Sequence, residues 1–162
     1  MPLDPNRYKQ VMRQYATGVM VLTVPDGEGF HAVTVNSVSS VSLQPVLLLV
    51  CLEKNARSHE LVHRVERFAL NILAASQEEI GRRFAYDWEA RKTPIAYVAG
   101  RTSENGTLIF SESLGYFDCH VVAEYAGGDH TIFLSEVLNA EVQDQEDAPL
   151  IYYQSRWLKL NP

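Results

Sequence analysis

The sequence predicts a mainly β fold, an antiparallel barrel or sandwich with a few helices at its periphery. Two long stretches of strand-forming residues, 115–125 and 131–142, are joined by a glycine-rich turn, which is typical of a β-hairpin. A shorter hairpin is predicted where the strand-like residues 19–25 meet the turn at 26–29. Because helical patterns are few and do not alternate with the strands, a fold built from βαβ units is not favoured.

Three short helices are predicted around the strands. The first begins with Asp4 as N-cap and Pro5 as first helical residue, and it runs to about Ala16. In each helix the apolar residues recur every three or four positions, so each has one apolar face. The residues that share this face are Tyr8, Val11, Met12 and Tyr15 in the first helix, Leu61, Val62 and Val65 in the second, and Ile80 and Phe84 in the third. The predicted N-terminal caps are Ser58 or Asn55 for the second helix and the capping-box pair Ser76 and Glu79 for the third, which runs through Phe84.

Length and charge limit the class of protein. With 162 residues the chain fits one domain, predicted to span 1–162, and its formal net charge of −6 offers no basic field for a polyanion. Nucleic acids and anionic membranes are therefore not expected as partners. No apolar run approaches a membrane span, and residues 1–10 lack the apolar core of a signal peptide, so a cytoplasmic location is expected. Cys51 and Cys119 form no CxxC pair and are predicted to be buried, reduced thiols.

The stretch from Phe30 to Leu52 combines two patterns that do not suit one ordinary core strand. Alternating valines lead into a row of short polar residues, and after a turn the run VLLLVCL at 46–52 is predicted to be a strand buried on both faces. Hydroxyl and backbone N–H groups are neutral donors that suit phosphate oxygens, a sugar-like chain or the edge of a heteroaromatic ring. Such residues equally suit strand positions that face water, and the pattern leaves both interpretations open. The polar residues are Asn36, Ser37, Ser39, Ser40 and Ser42.

Cations gather near the start of the second predicted helix. Lys54 and Arg57 supply positive charge, and Ser58 stands near a helix N-terminus, which is a common seat for an anion. Arg82 and Arg83 of the third helix would add charge if they fold nearby. The alternative is that Arg57 and Ser58 only cap the helix and keep its surface soluble.

Two segments that contain histidine are candidate sites. His130 lies in the predicted hairpin tip 128–130, where it could bind a ligand or act as a general acid, although glycine and aspartate are also ordinary turn residues. The segment 59–63 reads HELVH and matches HExxH, the zinc-binding motif of metalloproteases. Its predicted helix is short, and the apolar face turns both histidines toward the edge or solvent. A zinc hydrolase using His59, Glu60 and His63 is therefore a remote alternative.

One long segment lacks a regular pattern. Residues 85–107 mix charges, prolines, glycines and turn residues, which predicts a loop with at most one helical turn. A loop of this length in a small domain is a candidate for function or mobility.

Four stretches of the chain resemble one known family. They are TGVMVLTVPDGEGFHAVTVNSVSSVSLQPVLLLVCL, RFALNILAASQEEIGRRFA, GYFDCHVVAEYAGGDHTIFLSEV and PLIYYQSRWLKL, and they follow one another from about Tyr15 to about Leu160. In order and spacing they are similar to the flavin reductase-like family, the small NAD(P)H:flavin oxidoreductases that supply two-component monooxygenases. Two departures stand out: Ser135 replaces a glycine common in the family, and 86–110 does not align.

The resemblance implies an antiparallel split β-barrel, the FMN-binding split barrel, acting as a homodimer with the flavin at the subunit interface. The implied reaction is hydride transfer from nicotinamide C4 of NADH or NADPH to N5 of FMN or FAD, with a separate monooxygenase as possible partner. No general base is required and no metal is expected, because the flavin carries the chemistry. A flavin-binding electron-transfer or sensor protein without NAD(P)H turnover is the alternative.

The resemblance also implies roles for particular residues. Thr34, Val35, Asn36 and Ser37 would meet the isoalloxazine and ribityl chain; Ser40, Ser42, Cys51 and Leu52 would line the same cleft; Arg57 and Ser58 would face the phosphate; and Phe84 would approach the cofactor. Asp129 and His130 would bind the substrate, with His130 positioning the nicotinamide.

Overall fold

A computed structural model of the chain describes residues 1–86, 98–144 and 146–160. These residues form a mainly β structure in which every strand pairing is antiparallel. The helices are α1 (Pro5–Met12), α2 (Arg57–Val65) and α3 (Glu78–Tyr86), with a 3-10 turn at Ala75–Gln77 before α3. The strands are β1 (Thr17–Gly18), β2 (Met20–Asp26), β3 (Gly29–Val35), β4 (Val38–Leu43), β5 (Val46–Glu53), β6 (Arg67–Ile72), β7 (Gly100–Thr102), β8 (Leu108–Phe110), β9 (Gly115–Gly127), β10 (His130–Val142), β11 (Leu150–Tyr153) and β12 (Arg156–Lys159). The predicted mainly β fold with peripheral helices is confirmed.

The main sheet has seven strands in the order β3-β2-β6-β9-β10-β5-β4, beside smaller sheets β1-β11-β12 and β7-β8. Strands β3 and β4 lie at opposite edges of this sheet, yet only Asn36 and Ser37 separate them in sequence. Seven strands laid flat would set the edges roughly 29 Å apart, whereas three consecutive Cα steps span at most about 11 Å. The sheet must therefore curl until the end of β3 approaches the start of β4.

Two apolar clusters stabilise the curled sheet. The larger lies on its concave side and includes Leu22, Phe68 and Phe133 with Leu61 and Val62 of α2. The other packs α3 and β8 on the outside of β2 and β3, and its buried residues are Val19, Val21, Ala32, Leu73, Phe84, Leu108, Phe110 and Leu150. The predicted apolar faces of α2 and α3 are thus confirmed.

Strand β5 corrects one prediction. Leu48, Val50 and Leu52 are buried, but the alternate residues Leu47, Leu49 and Cys51 are only half-buried. The continuous run VLLLVCL is therefore not covered on both faces within one chain. Cys119 is buried in β9 as predicted, and both cysteines are free thiols.

The helix boundaries also differ from prediction. At α1, Asp4 caps the helix as predicted by accepting a hydrogen bond from the Asn6 backbone N–H at 3.0 Å, but the helix ends at Met12 rather than Ala16. None of its side chains is buried, because the helix lies along a cleft rather than on the core. The other caps differ too: α2 begins after Ala56 without a side-chain cap, and Gln77 accepts from the Ala74 backbone N–H where Ser76 and Glu79 were predicted to pair.

The hairpins follow the sequence closely. The β2–β3 and β9–β10 hairpins form as predicted, and the second has a two-residue turn at Gly128 and Asp129, with Gly128 at φ +73°. The final segment forms the hairpin β11–β12, whose turn holds Gln154 and Ser155 at positive φ. Of the predicted loop 85–107, residues 87–97 lie outside the described residues, whereas 100–102 form β7 and pair with β8.

Ser135 provides a test of core packing. It is fully buried in β10, and its hydroxyl has no hydrogen-bond partner among the described residues. A buried hydroxyl without a partner costs free energy that alanine does not, so Ser135→Ala is expected to raise the free energy of unfolding by about 1 kcal/mol. Chemical denaturation measures this change.

The matched control is Ser113→Ala. Ser113 is equally buried, but its hydroxyl donates to the Phe110 carbonyl at 3.1 Å and accepts from the Gln143 amide at 2.9 Å. This control is expected to lose stability. Equal losses in both variants would contradict the interpretation of Ser135.

Candidate functional site

A cleft lies where β3 passes into β4. It has a volume of about 630 Å³ and is bounded by α1, the β3–β4 junction, β5 and the β11–β12 turn. We call it the first cleft. Its lining residues are Tyr8, Lys9, Met12, Arg13, Tyr15, Thr17, Asn36, Ser37, Val38, Ser39, Leu49, Cys51, Tyr152, Tyr153, Gln154 and Ser155.

Hydrogen bonds fix the junction residues in this cleft. The Ser37 hydroxyl donates to the Cys51 carbonyl at 2.8 Å, and the Cys51 backbone N–H donates to the Ser37 carbonyl at 3.1 Å. The Asn36 side-chain amide donates to the Thr17 hydroxyl at 3.1 Å. Both junction residues remain exposed, so a defined wall of neutral polar groups faces the cleft.

A smaller cleft of about 200 Å³ adjoins the first. We call it the second cleft. It shares Asn36 and Tyr152 with the first cleft, and its other lining residues are Val19, Thr34, Val35, Ala85, Tyr86 and Trp157. The two clefts therefore meet at these two residues, and we call the pair of clefts the groove.

The wall of the second cleft is held by close packing of α3. The Thr34 hydroxyl donates to the Gly81 carbonyl at 2.6 Å, which ties β3 to the helix. A Cβ atom on Gly81 would lie 2.8 Å from the Trp157 ring, so glycine is what permits this approach. The Trp157 ring meets Tyr152 edge-on at 5.5 Å between centroids and lies under the Arg82 guanidinium at 5.3 Å. Burial, followed by the neighbouring Tyr86 hydroxyl, raises the pKa of Tyr152, so the groove keeps this phenol neutral.

Several predicted cofactor residues come together in this groove. Asn36, Ser37 and Cys51 line the first cleft, and Thr34 and Val35 line the second. Burial raises the pKa of the Cys51 thiol, which makes it a neutral wall group rather than a thiolate.

Other predicted cofactor residues lie elsewhere. Ser40 is exposed, and its partner on β5 is the core residue Leu48. Ser42 accepts a hydrogen bond from the Gln44 backbone N–H at 3.2 Å. Leu52 faces the core. Phe84 is buried against the sheet, and it is Ala85 and Tyr86 that reach the second cleft.

The residues predicted to meet a phosphate line neither cleft and have other contacts. Arg57 makes a two-pronged ion pair with Asp26, with Nη2 at 2.8 and 2.6 Å from the two carboxylate oxygens. Ser58 is buried in the first turn of α2. Lys54 donates to the Gly128 carbonyl at 2.6 Å, and Arg82 pairs with Glu78 at 2.7 Å.

The predicted substrate residues form the tip of the β9–β10 hairpin. The His130 ring nitrogen Nδ1 lies 2.7 Å from the Asp129 carboxylate, and this bond lowers the pKa of Asp129. Along β10, His130 shares a sheet face with Ile132, which is paired with the cleft residue Cys51. Because two strand residues span about 7 Å, the tip lies close to the cleft but does not line it.

The histidines of HELVH have separate partners. His59 Nε2 lies 2.8 Å from the Thr131 hydroxyl, whereas His63 Nδ1 lies 3.0 Å from Glu124. Burial lowers the pKa of His59. Within the described parts of the chain, no three histidine, cysteine or carboxylate side chains gather in a metal-binding arrangement.

The sequence indicated no role for the groove residues that come from the α1 segment and from the β11–β12 hairpin. These residues include Lys9 of α1, Arg13 directly after α1, and the tyrosines at 152 and 153. They reach the groove because the curl of the sheet brings the two ends of the chain together. The one available signal was α1 itself, whose apolar face carries tyrosines that do not suit a core. Tyr8 and Tyr15 on that face are 56% and 67% exposed.

The groove suits a planar heteroaromatic ligand with a polar chain. Its volume falls within the range of small-molecule sites. The apolar Leu49, Val38 and Met12 and the tyrosine rings can cover a ring system, while Asn36 and Ser37 offer hydrogen bonds to its edge. The residues present therefore fit a flavin.

No helix in the described ranges is long and apolar enough to span a membrane.

Comparisons with known proteins identify the family of this chain. The family described as flavin reductase like domain matches residues 12–160. A probable flavin reductase of Rhizobium meliloti is 37% identical over 83% of this chain, which spans 42% of that relative's length. The reductase subunit HsaB of a flavin-dependent monooxygenase from Mycobacterium tuberculosis is 30% identical, with 99% of this chain and 84% of the relative covered.

A solved structure shares the whole fold. It is the Streptomyces globisporus NADH:FAD oxidoreductase SgcE6 in complex with NAD and FAD fragments. The TM-score is 0.88 at 31% identity, with 100% of this chain and 98% of that chain covered. The resemblance predicted from the sequence is confirmed, and the chain belongs to the flavin reductase-like family.

Proposed function

We propose that this chain is an NAD(P)H-dependent flavin reductase that transfers a hydride from the nicotinamide to FMN or FAD. The observation that carries the proposal is the groove at the β3–β4 junction, walled by neutral hydrogen-bonding groups, in a chain of the flavin reductase-like family. When bound, the flavin accepts the hydride, so the redox chemistry belongs to the two cofactors. The chain's own task is to bind and orient both rings and to exclude water.

Different residues of the groove are proposed to contact different parts of the flavin. Asn36 and Ser37, fixed by Thr17 and Cys51, are proposed to hydrogen-bond the flavin edge and ribityl chain. Thr34 and Val35 are proposed to meet the ring in the second cleft, with Cys51 as a neutral contact in the first. Roles for Ser40, Ser42, Leu52, Arg57, Ser58 and Phe84 stay predictions, to be tested by substitution.

A turnover assay tests the function. Purified protein is mixed with NADH or NADPH and excess FMN, FAD or riboflavin, and the nicotinamide absorbance is followed. Oxidation that saturates with flavin is expected. A protein that binds flavin but reduces it only with an external donor would instead be an electron carrier or sensor. Metal analysis tests the hydrolase alternative: substoichiometric zinc, together with no effect of a chelator, would rule it out.

His130 is proposed to position the nicotinamide from the hairpin tip. Replacing it with alanine removes one hydrogen-bonding group, so His130→Ala is expected to raise the KM for NADH roughly fivefold. Steady-state kinetics at saturating flavin measure this. His120→Ala, an exposed histidine of β9, is the control and should leave KM unchanged. An unchanged KM and hydride-transfer rate in His130→Ala would show that the role is wrong.

We also propose that the curled sheet is a split barrel that works as a homodimer with flavin at the interface. The half-buried face of β5, with Leu47, Leu49 and Cys51, supports this, since a strand of that composition is normally covered. Tyr125 of β9 lies on the same face, because Ile132 of β10 pairs with both Cys51 and Tyr125, and it is 55% exposed. A partner on this face would also close the first cleft. Light scattering should give twice the 18.3 kDa chain mass, and a monomer at all concentrations would contradict the proposal.

The proposed partner is a monooxygenase that consumes the reduced flavin. The support is the relative named as a reductase subunit of such an enzyme. Because NAD(P)H is an intracellular reductant, the proposed place of action is the cytoplasm. A coupled assay, in which the reductase sustains product formation by a flavin-dependent monooxygenase, tests this.

A further inference from the structure

The two histidines of the HELVH segment both contact the β9–β10 hairpin. His59 Nε2 lies 2.8 Å from the Thr131 hydroxyl on β10, and His63 Nδ1 lies 3.0 Å from each carboxylate oxygen of Glu124 on β9. Because the histidines are four positions apart, they leave α2 on one side, with their ring centroids 6.4 Å apart. One side of α2 therefore contacts both strands of the hairpin near its tip.

The tip end of β9 has a strand partner on one side only. Strand β6 pairs with β9 no further than His120, whereas β10 pairs with β5 as far as His130. In the part of the chain that the structure describes, no strand pairs with residues 122–127 on the side away from β10. A strand end with few hydrogen-bond partners opens more easily than a paired one. The contact between His63 and Glu124 lies on this part of β9.

The α2 histidines support the hairpin from the side opposite the first cleft. Thr131 is buried, and the His59 ring packs edge-on against the core residue Phe133 at 5.2 Å between centroids. His130 precedes Thr131 on the strand, so its side chain lies on the other face, which is the face of Cys51 in the first cleft. Helix α2 thus holds one face of the hairpin while the other face presents His130.

From these contacts we propose that His59 and His63 are positioning residues, which hold the β9–β10 hairpin so that its tip places His130 at the nicotinamide. We call the bonds of His59 to Thr131 and of His63 to Glu124 the α2 contacts. The inference rests on the proposed function, because it acts through the proposed role of His130. A tip that is ordered before the nicotinamide arrives binds it more tightly, since less conformational freedom is lost on binding.

Steady-state kinetics test the inference first. The double variant His59→Ala/His63→Ala removes the α2 contacts and keeps His130. We expect the KM for NADH to rise about threefold, which is less than the effect of losing His130 itself, with kcat within about twofold. Glu60→Ala is the matched control, because Glu60 lies on the same helix and pairs with Arg64 rather than with the hairpin. It should leave the KM unchanged.

A second genetic background separates positioning from a general loss of structure. In a His130→Ala chain, removing the α2 contacts should not raise the KM further, because the group that they position is already absent. Equal rises in KM with and without His130 would overturn the inference. The conservative variant His59→Gln/His63→Asn places an amide nitrogen near each lost ring nitrogen, so it should restore most of the KM.

Hydrogen exchange measures the hairpin without turnover. Backbone amides of residues 122–130 are expected to exchange about threefold faster in His59→Ala/His63→Ala than in the unmodified chain, and Glu60→Ala should not change them. Unchanged exchange, or an unchanged KM in a chain that oxidises NADH, would overturn the inference while the proposed function stands.

The proposed function can fail separately. If the unmodified chain oxidises no NADH with any flavin, it is the proposed function that is wrong. Faster exchange in the double variant would then still show that the α2 contacts hold the hairpin tip, and unchanged exchange would show that they do not.

Discussion

Replacing Ser39 with tryptophan is expected to weaken FMN binding by about a hundredfold, with a parallel loss of NADH oxidation at low FMN. Ser39 lines the first cleft and is paired across the strands with Leu49, which lines it too. An indole at this position would occupy part of the cleft of about 630 Å³ and cover the wall that Ser37 presents. The measurement is a fluorescence titration of FMN against the variant.

Ser40→Trp is the matched control for this variant. The two serines are neighbours on the same exposed edge strand, but Ser40 pairs with Leu48 on the core-facing side. The same tryptophan there should leave FMN binding within about twofold of the unmodified chain. The sequence resemblance places Ser40, not Ser39, at the cofactor. If Ser40→Trp abolished binding while Ser39→Trp did not, the resemblance would be right and the cleft assignment wrong.

This pair of serines shows what the sequence could and could not predict. Alternation identifies β4 as a strand and implies that neighbouring residues face opposite sides. It does not say which side meets the cleft, because that depends on the pairing of β4 with β5 and on the register shift between Ser40 and Ser42. A shift of one residue exchanges the two faces of a strand.

The sequence correctly predicted the features that depend on residues close together in the chain. The turn residues predicted the β2–β3 and β9–β10 hairpins, and the residues Asp4 and Pro5 predicted the start of α1. No residue near Arg57 in the sequence indicates that it pairs with Asp26, which lies thirty-one residues earlier in the chain. An arginine near a helix N-terminus suits a phosphate and a carboxylate equally, and only the fold decides between them.

The exposed face of α1 has a similar explanation. Its apolar residues predict a helix with one covered face, but in the single chain they border an open cleft. The face of β5 with Leu49 and Cys51 is incompletely covered at the same place. Both features are accounted for together if a ligand and a second subunit complete the site, because these surfaces meet at the first cleft.

The largest stability effect is expected from Asn71, a residue that sequence analysis did not single out. It is fully buried in β6, and its side-chain amide donates to the carbonyls of Val21 and Leu108, each at 3.3 Å. Its carbonyl accepts from the Phe110 backbone N–H at 2.8 Å. One side chain therefore ties β8 to the main sheet through backbone groups that water does not reach.

Asn71→Ala is expected to lower the free energy of unfolding by about 3 kcal/mol, which corresponds to a fall in Tm of roughly 10 °C. The substitution leaves a cavity, and the buried Phe110 N–H loses its acceptor. Both effects destabilise the folded state. Urea denaturation measures the loss, and hydrogen exchange at the Phe110 amide should show reduced protection. Asn55→Ala, in the exposed turn before α2, is the control and should change stability by less than about 0.5 kcal/mol.

The two readouts together identify the cause. The β7–β8 hairpin contributes the buried residues Leu108, Ile109 and Phe110, so its release would expose apolar surface as well as break hydrogen bonds. If Asn71→Ala lost stability without losing protection at Phe110, the cost would come from the cavity alone. If stability fell by less than about 1 kcal/mol, the hydrogen bonds of Asn71 would not be what joins β8 to the sheet.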